Sequence, residues 1–338
     1  AERARNADEA LAARASHPAW VLRALRDALR AEGREHELPE LLAADNEAPR
    51  VQLVALPGFG APEIERDPLT GTAGTTAEQG LVASGPSPLG LELPGGDPAR
   101  VIASLGMPEG VVRVQDQGSQ LAALALARAR RVTAGERWLD LCAGPGGKTA
   151  LLAAEARLGG ATIRANEVSE HRAELVRRSI AAVADAVEVV SHDGRDPAAY
   201  GEGPGADGPR FDRILVDAPC SGLGALRRRP EARWRKRPAD LPGLTALQGE
   251  LLDAAAERLA PGGLLAYVTC SPHLAETRVA VDRLLRKRPE LREIDARAIL
   301  RRVAREPLDL AGDRLSAQLW PHRHGTDAMF VAVIERSE

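Results

Sequence analysis

Cysteine, lysine, methionine and aromatic residues are all scarce in this sequence. Three cysteines in 338 residues exclude a disulfide scaffold and a four-thiolate zinc site, and they fit a reducing compartment. Aromatics make up 3% of the chain, too few for extended base-stacking platforms. The formal net charge is −3, from 45 basic and 48 acidic residues, so any footprint for a polyanion must be local. Only three of the basic residues are lysines: Lys148, Lys236 and Lys287. No apolar run reaches the roughly 18 residues of a membrane helix, and Ala1–Ala15 is charged, with no apolar signal-peptide core. These absences predict a cytoplasmic protein with no membrane association. The only methionines are Met107 and Met329, and the chain opens on Ala1, which reads as a processed chain or a piece of a longer one.

What is present reads as an α/β protein. Hydrophobic residues make up 44% and charged residues 28%, an ordinary globular balance with enough chain for about two domains. Residues 1–45 read as helical, with Ser16 as an N-cap and Trp20, Val21, Leu22, Leu25 and Leu29 at helical spacing. Residues 46–112 read as a small α+β subdomain: a strand at Val51–Leu56, a loop-heavy stretch from Pro57 to Gly96, and a helix capped by Asp97. Residues 113–338 alternate strand-like and helical segments. The strands are Trp138–Cys142, Thr162–Glu167, Val187–His192, Phe211–Asp217, Leu264–Thr269 and Met329–Ile334. The helices are Ser119–Arg131, Lys148–Arg157, Glu170–Ala184, Leu244–Leu259 and Ala275–Arg288, and Gly201–Pro209 reads as a mobile surface loop. This alternation predicts a mostly parallel sheet covered on both faces, a Rossmann-like arrangement.

Chemistry concentrates at the carboxyl ends of those strands. Leu139–Thr149 runs from a strand through a Gly-rich turn into a helix, where bare backbone and a helix N-terminus can meet a phosphate or a carboxylate. A P-loop would need Gly where this chain has Cys142, so a P-loop nucleotidase fits poorly. Glu167 ends the next strand, where a carboxylate can take both hydroxyls of a ribose, and Asp193-Gly194 follows the third strand, where a nucleobase edge would lie. Together these point to an adenosine-bearing cofactor. All three cysteines (Cys142, Cys220 and Cys270) fall at strand ends, so the thiols of Cys220 and Cys270 can converge on one substrate. No Cys-x-x-Cys or paired His accompanies them, so no metal site is expected. Arg227, Arg228, Arg229, Arg233, Arg235, Lys236 and Arg237 form a basic run, with Glu231 its one acidic residue and Trp234 within it. The run reads either as a solvated surface or as phosphate-backbone contacts beside the reaction centre.

Asp140–Thr149, Asp217–Gly222, Thr269–Ser271 and Pro321-His322…Gly325-Thr326-Asp327 closely resemble motifs of the Sun/Fmu-type RNA cytosine-5 methyltransferases. Val114–Leu121 is similar to the segment that enters their catalytic domain, and the resemblance covers about residues 16–336. Ser16–Trp20 and Leu41–Asn46 look like the pre-catalytic region of the bacterial small-subunit ribosomal RNA branch, the B type. That branch is expected to carry a further N-terminal, NusB-like RNA-binding domain, most of which this chain is expected to lack. The resemblance implies S-adenosylmethionine as cofactor, held by Cys142, Ala143, Gly144, Pro145, Gly146, Gly147 and Lys148 at its methionine end, with Glu167 at the ribose, Asp193 and Gly194 at the adenine, and Asp217 alongside. It implies Cys270 as the nucleophile that adds to C6 of cytosine, because C5 by itself is a poor nucleophile. Cys220 would assist removal of the C5 proton, Asp217 would bond the cytosine edge, and Lys148 would help Cys270 ionise. The expected partner is RNA, most of all small-subunit ribosomal RNA with transfer RNA as the alternative, and the expected state is a monomer. A non-catalytic RNA-binding module is the rival of a different class; intact Cys270 and Asp217 argue against it. Two departures stand out: Glu276-Thr277-Arg278 replaces a common Glu-Asn-Glu, and Ala328-Met329-Phe330 replaces a common Gly-Phe-Phe.

Overall fold

The computed structural model describes residues 7–60, 81–201 and 208–338. The loop expected at Gly201–Pro209 therefore lies mostly outside the described residues, as does part of the stretch from Pro57 to Gly96. Three helices come first: α1 (Ala7–Arg14), α2 (Ala19–Arg30) and α3 (Leu38–Ala44). Val21, Leu22, Leu25 and Leu29 of α2 are buried against Leu38, Leu41 and Leu42, so the helical spacing does form one apolar face. That face also packs on Leu223, Leu226 and Trp320 from the distant part of the chain. Ser16 does not cap α2: it lies at φ +58°, and Pro18 precedes the helix. The strands β1 (Val51–Ala55), β2 (Gly90–Leu93) and β3 (Val112–Val114) form an antiparallel sheet in the order β2-β1-β3. Beside it lies α4 (Pro98–Ser104), where Asp97 accepts from the Ala99 amide at 3.0 Å as the N-cap.

The larger sheet follows, as α5 (Gln117–Ala127), β4 (Arg137–Asp140), α6 (Gly147–Gly159), β5 (Thr162–Asn166), α7 (Glu170–Ser179), β6 (Val187–Val190) and β7 (Phe211–Asp217). It continues with α8 (Ala232–Arg235), α9 (Leu241–Arg258), β8 (Leu259–Thr269), α10 (Arg278–Lys287), β9 (Leu291–Ile294), α11 (Ala296–Val303), β10 (Ala317–Gln318), α12 (Pro321–His324) and β11 (Phe330–Arg336). The order is β6-β5-β4-β7-β8-β11-β10, with β9 also on β11. Strands β4 to β8 pair in parallel and β11 runs antiparallel to β8. Alternate residues of each strand face opposite layers. Trp138, Ile163, Leu215 and Ala266 pack with α5, α6 and α11, whereas Leu139, Ile214, Leu265 and Tyr267 pack with α9 and α10.

Two expected helices break. Glu170–Ala184 stops at Ser179, where Ile180 leaves helical geometry (φ −97°, ψ 7°), and continues as a 3₁₀ segment at Ala181–Ala186 that is itself kinked at Val183 (φ −133°). Ala275–Arg288 divides at Thr277 (φ −122°, ψ −101°), which separates a 3₁₀ turn at Leu274–Glu276 from α10. One buried cation ties the layers together. Arg213, fully buried on β7, pairs with Glu136 at 2.8 Å and donates to the carbonyls of Leu126, Ala127, Arg130 and Arg131. A cation there satisfies the terminal carbonyls of α5 and complements its dipole.

Candidate active site

Strand order reverses at β4, which has β5 and β6 on one side and β7 and β8 on the other. Such a switch point opens a crevice at the carboxyl ends of the strands. The loops after β4, β7 and β8 meet there. Lys148, at the start of α6, donates to Asp217 at the end of β7 across 2.7 Å. Burial opposes the lysine's charge, but Asp217 outweighs it and raises the ammonium pKa, so Lys148 is a firm cation.

The thiols of Cys220 and Cys270 lie 3.4 Å apart, and both residues are half-buried. Cys142 stays apart, in the Gly-rich turn, where burial pushes its thiol up. The paired thiols are pushed in opposite directions. The bond from Cys220 lowers Cys270, with Lys148 helping against burial and Asp217. The same bond raises Cys220, with burial and Glu276 adding to it. Proximity of the two loops requires glycine at position 224. Its amide donates to the Cys270 carbonyl at 2.9 Å, and a Cβ there would come within 2.0 Å of the Ala328 carbonyl oxygen.

Glu276 was not singled out as a site residue from the sequence, although it stands in the segment that departs from the common Glu-Asn-Glu. It is fully buried. Its carboxylate accepts from the Ser221 amide (2.7 Å), Ser221 Oγ (2.5 Å), Ser271 Oγ (2.7 Å) and Gln248 Nε2 (3.2 Å). Ser221 and Ser271 each follow one of the paired cysteines.

The turn from Cys142 to Lys148 brings backbone close to the crevice. Gly146 sits at φ +100°, and a Cβ on it would come within 2.5 Å of Ser179 Cβ. Glu167 accepts from the Gly144 amide at 3.0 Å and the Ser169 amide at 3.1 Å, with Arg172 at 3.5 Å. Asp193 is gripped by Arg195, which holds its carboxyl down at about 2. Gly194 is buried, and its carbonyl accepts from the Tyr200 hydroxyl at 2.8 Å. Behind the turn, Asp140 accepts from Thr149 at 2.7 Å while its Oδ1 has no partner, and burial raises its carboxyl to about 7. A Gly-rich cradle, an orphaned carboxylate oxygen and two further acidic groups suit a zwitterionic, ribose-bearing cofactor. The residues present therefore fit S-adenosylmethionine.

The basic run divides. Arg227 and Arg228 are not open to a ligand: both pair with Asp327 (3.0 and 2.9 Å) and with Asp116 (3.3 and 2.9 Å). Arg233 is buried and bonds Ser16 O, Asn46 Oδ1 and Asp45 O of the N-terminal helices. These three arginines join parts of the fold, because acceptors distant in sequence cover them. Arg229, Arg235 and Arg237 remain exposed, Lys236 is half-exposed, and Trp234 is 64% exposed. Asp116 and Asp327 lie in the quoted motifs, but no role for them was legible there.

A parallel sheet with a Gly-rich turn at its switch point and acidic groups at the next strand ends defines a Rossmann-like methyltransferase. Residues 127–335 match the family described as 16S rRNA methyltransferase RsmB/F, and the chain belongs to that family of S-adenosylmethionine-dependent enzymes. It is 46% identical over 323 residues to a Mycobacterium tuberculosis protein named as a methyltransferase, covering 95% of this chain and 64% of that one. It is 33% identical over 288 residues to the ribosomal RNA small subunit methyltransferase B of Vibrio cholerae, covering 83% of this chain and 59% of that one. The chain thus spans less than two thirds of these relatives. Among solved structures it is similar to PH0851, with a TM-score of 0.80 and 26% identity over 98% of this chain and 69% of that one.

Proposed function

We propose that this chain methylates C5 of a cytosine in small-subunit ribosomal RNA through a covalent bond to Cys270. The observation that carries the reading is the 3.4 Å approach of Cys220 to Cys270 beside the Lys148–Asp217 pair. Adding a thiolate to C6 pushes the ring electrons toward C5, which then becomes nucleophilic, so one hard step becomes two easier ones. Cys270 is the better thiolate of the two, because the bond between the sulfurs lowers Cys270 and raises Cys220. S-adenosylmethionine supplies an electrophilic methyl group when it is bound. Asp217, held by Lys148, orients the cytosine edge. In the release step Cys220 takes the C5 proton, the C5–C6 double bond re-forms, and the bond from C6 to Cys270 breaks with its electron pair returning to sulfur. Arg229, Arg235, Lys236 and Arg237, with Trp234 among them, present exposed charge and one ring to an RNA strand. The proposed state is a monomer.

Labelled methyl groups from S-adenosylmethionine test the reading, offered with unmodified small-subunit ribosomal RNA, transfer RNA or duplex DNA. Label at C5 of a ribosomal cytosine, lost in Cys270→Ser, is the expected outcome. Label in transfer RNA would keep the chemistry and overturn the substrate. Transfer that survives Cys270→Ser would overturn the nucleophile.

A further inference from the structure

The carboxylate of Glu276 has no role in the chemistry described so far, yet it is among the most heavily bonded side chains of the crevice. Both of its oxygens face donors only. Oε1 takes the Ser221 amide and Gln248 Nε2, and Oε2 takes the Ser221 and Ser271 hydroxyls. Each serine hydroxyl has one hydrogen, and both are spent on Glu276. The 3.0 Å contact between Ser221 Oγ and Ser271 Oγ is therefore a consequence of sharing this acceptor. Four donors and no acceptor describe an ionised carboxylate. The Tyr267 hydroxyl, donating to the Glu276 carbonyl at 2.7 Å, fixes the residue itself. Two separate loops, one after β7 and one after β8, are thus pinned by one anion at the residue next to each cysteine.

We infer that Glu276 is a positioning residue that sets the separation of the two thiols and assigns their shared proton to Cys220. This inference rests on the roles proposed for Cys270 and Cys220. The charges around the thiol pair are distributed unevenly. Lys148 (from α6), Asp217 (from β7) and Asp327 (from the loop before β11) act on Cys270, whereas Glu276 acts on Cys220. Asp217 and Asp327 offset Lys148 at Cys270, so the bias comes from the buried Glu276 carboxylate, bonded to the Ser221 amide next to Cys220 at 2.7 Å, and a proton shared between the two sulfurs rests on Cys220. The consequence is a timed exchange of roles. While Cys270 is a thiolate, it and Glu276 together keep Cys220 protonated. When Cys270 becomes a neutral thioether on C6, the larger of these influences disappears. Cys220 can then lose its proton to water and take the one from C5.

Thiol alkylation tests this without any RNA. The full chain is treated with iodoacetamide across pH, and modification of each cysteine is read by peptide mass spectrometry. In the unaltered protein Cys270 should react at lower pH than Cys220. In Glu276→Gln the Cys220 profile should move down by about one pH unit, a tenfold gain in its thiolate fraction, and the two profiles should draw together. Glu276→Asp keeps the charge at a shorter reach. It should keep the order of reactivity while forming the covalent RNA adduct up to about a hundredfold more slowly, since a misplacement near 1 Å costs that much. A folded Glu276→Gln with unmoved profiles would overturn the inference. So would a Glu276→Asp in which Cys220 reacts first. Loss of methyl transfer in Cys270→Ser tests the underlying roles separately, so the two failures are distinguishable.

Discussion

Replacing Asp140 by Asn should flatten the pH dependence of stability between about pH 4 and pH 7. The side chain is 1% exposed, only one of its oxygens is satisfied, and the Thr149 hydroxyl supplies that bond. Burial is the largest influence and raises the carboxyl to about 7 from an ordinary 3.8; Thr149 and Lys148 oppose it and Asp217 adds to it. Between those two values the folded protein holds a proton that the unfolded chain has lost. Stability from this group is therefore fully present below about pH 4 and is lost as pH rises toward 7. The gap of about 3 pH units corresponds to ~4 kcal/mol. Asn can accept from Thr149 and never ionises. The variant should match the parent near pH 4 and exceed it by about 4 kcal/mol at pH 8, measured by urea denaturation at each pH. A constant difference across the range, or a parent more stable than the variant at pH 8, would refute the reasoning. A group that costs stability at working pH implies a function that keeps it, and the same variant should bind S-adenosylmethionine more weakly at pH 8.

Further outcomes are expected. Cys220→Ala should accumulate a protein–RNA adduct on denaturing gels, because release of Cys270 is impaired; adduct no greater than in the parent would exclude that role. Arg213→Met should cost about 3–5 kcal/mol in urea, since it strands Glu136 in the interior and uncovers the end of α5; a loss below about 1 kcal/mol would mean that the clamp is dispensable. Neutralising Arg229, Arg235 and Arg237 should lower the salt slope of RNA binding by roughly 0.7 for each phosphate that is no longer neutralised, and Trp234→Ala should weaken oligonucleotide binding by about 1–3 kcal/mol. Neutralising Arg227 and Arg228 should instead lower the melting temperature, and an unchanged one would restore them to the RNA surface.

The strands were legible because burial on both faces imposes continuous apolar runs such as Leu264–Val268, short and bounded by turn residues. Short pieces escaped: β3 and β9 have three and four residues and gain their stability from neighbours rather than from their own pattern. The breaks at Ile180 and Thr277 escaped as well, since nothing in either residue's propensity forces them. At the site, the Gly-rich turn and the three cysteines at strand ends follow from sequence, because a strand–turn–helix junction is local. The fate of the arginine run does not. Seven adjacent cations look alike in sequence, but Asp116 lies 111 residues before Arg227 and Asp327 lies 100 after it. Only folding brings such acceptors near, and desolvation then converts Arg227, Arg228 and Arg233 from surface charge into internal joints.

The amino-acid sequence by itself determined the layer architecture, the position of the Gly-rich turn and the membership of the family, since each is written in local pattern and motif. Tertiary structure alone decided which cations stay free and that a single buried carboxylate at position 276 holds both cysteine loops. Those are contacts between loops some 50 residues apart, and their energies depend on burial that no local pattern specifies.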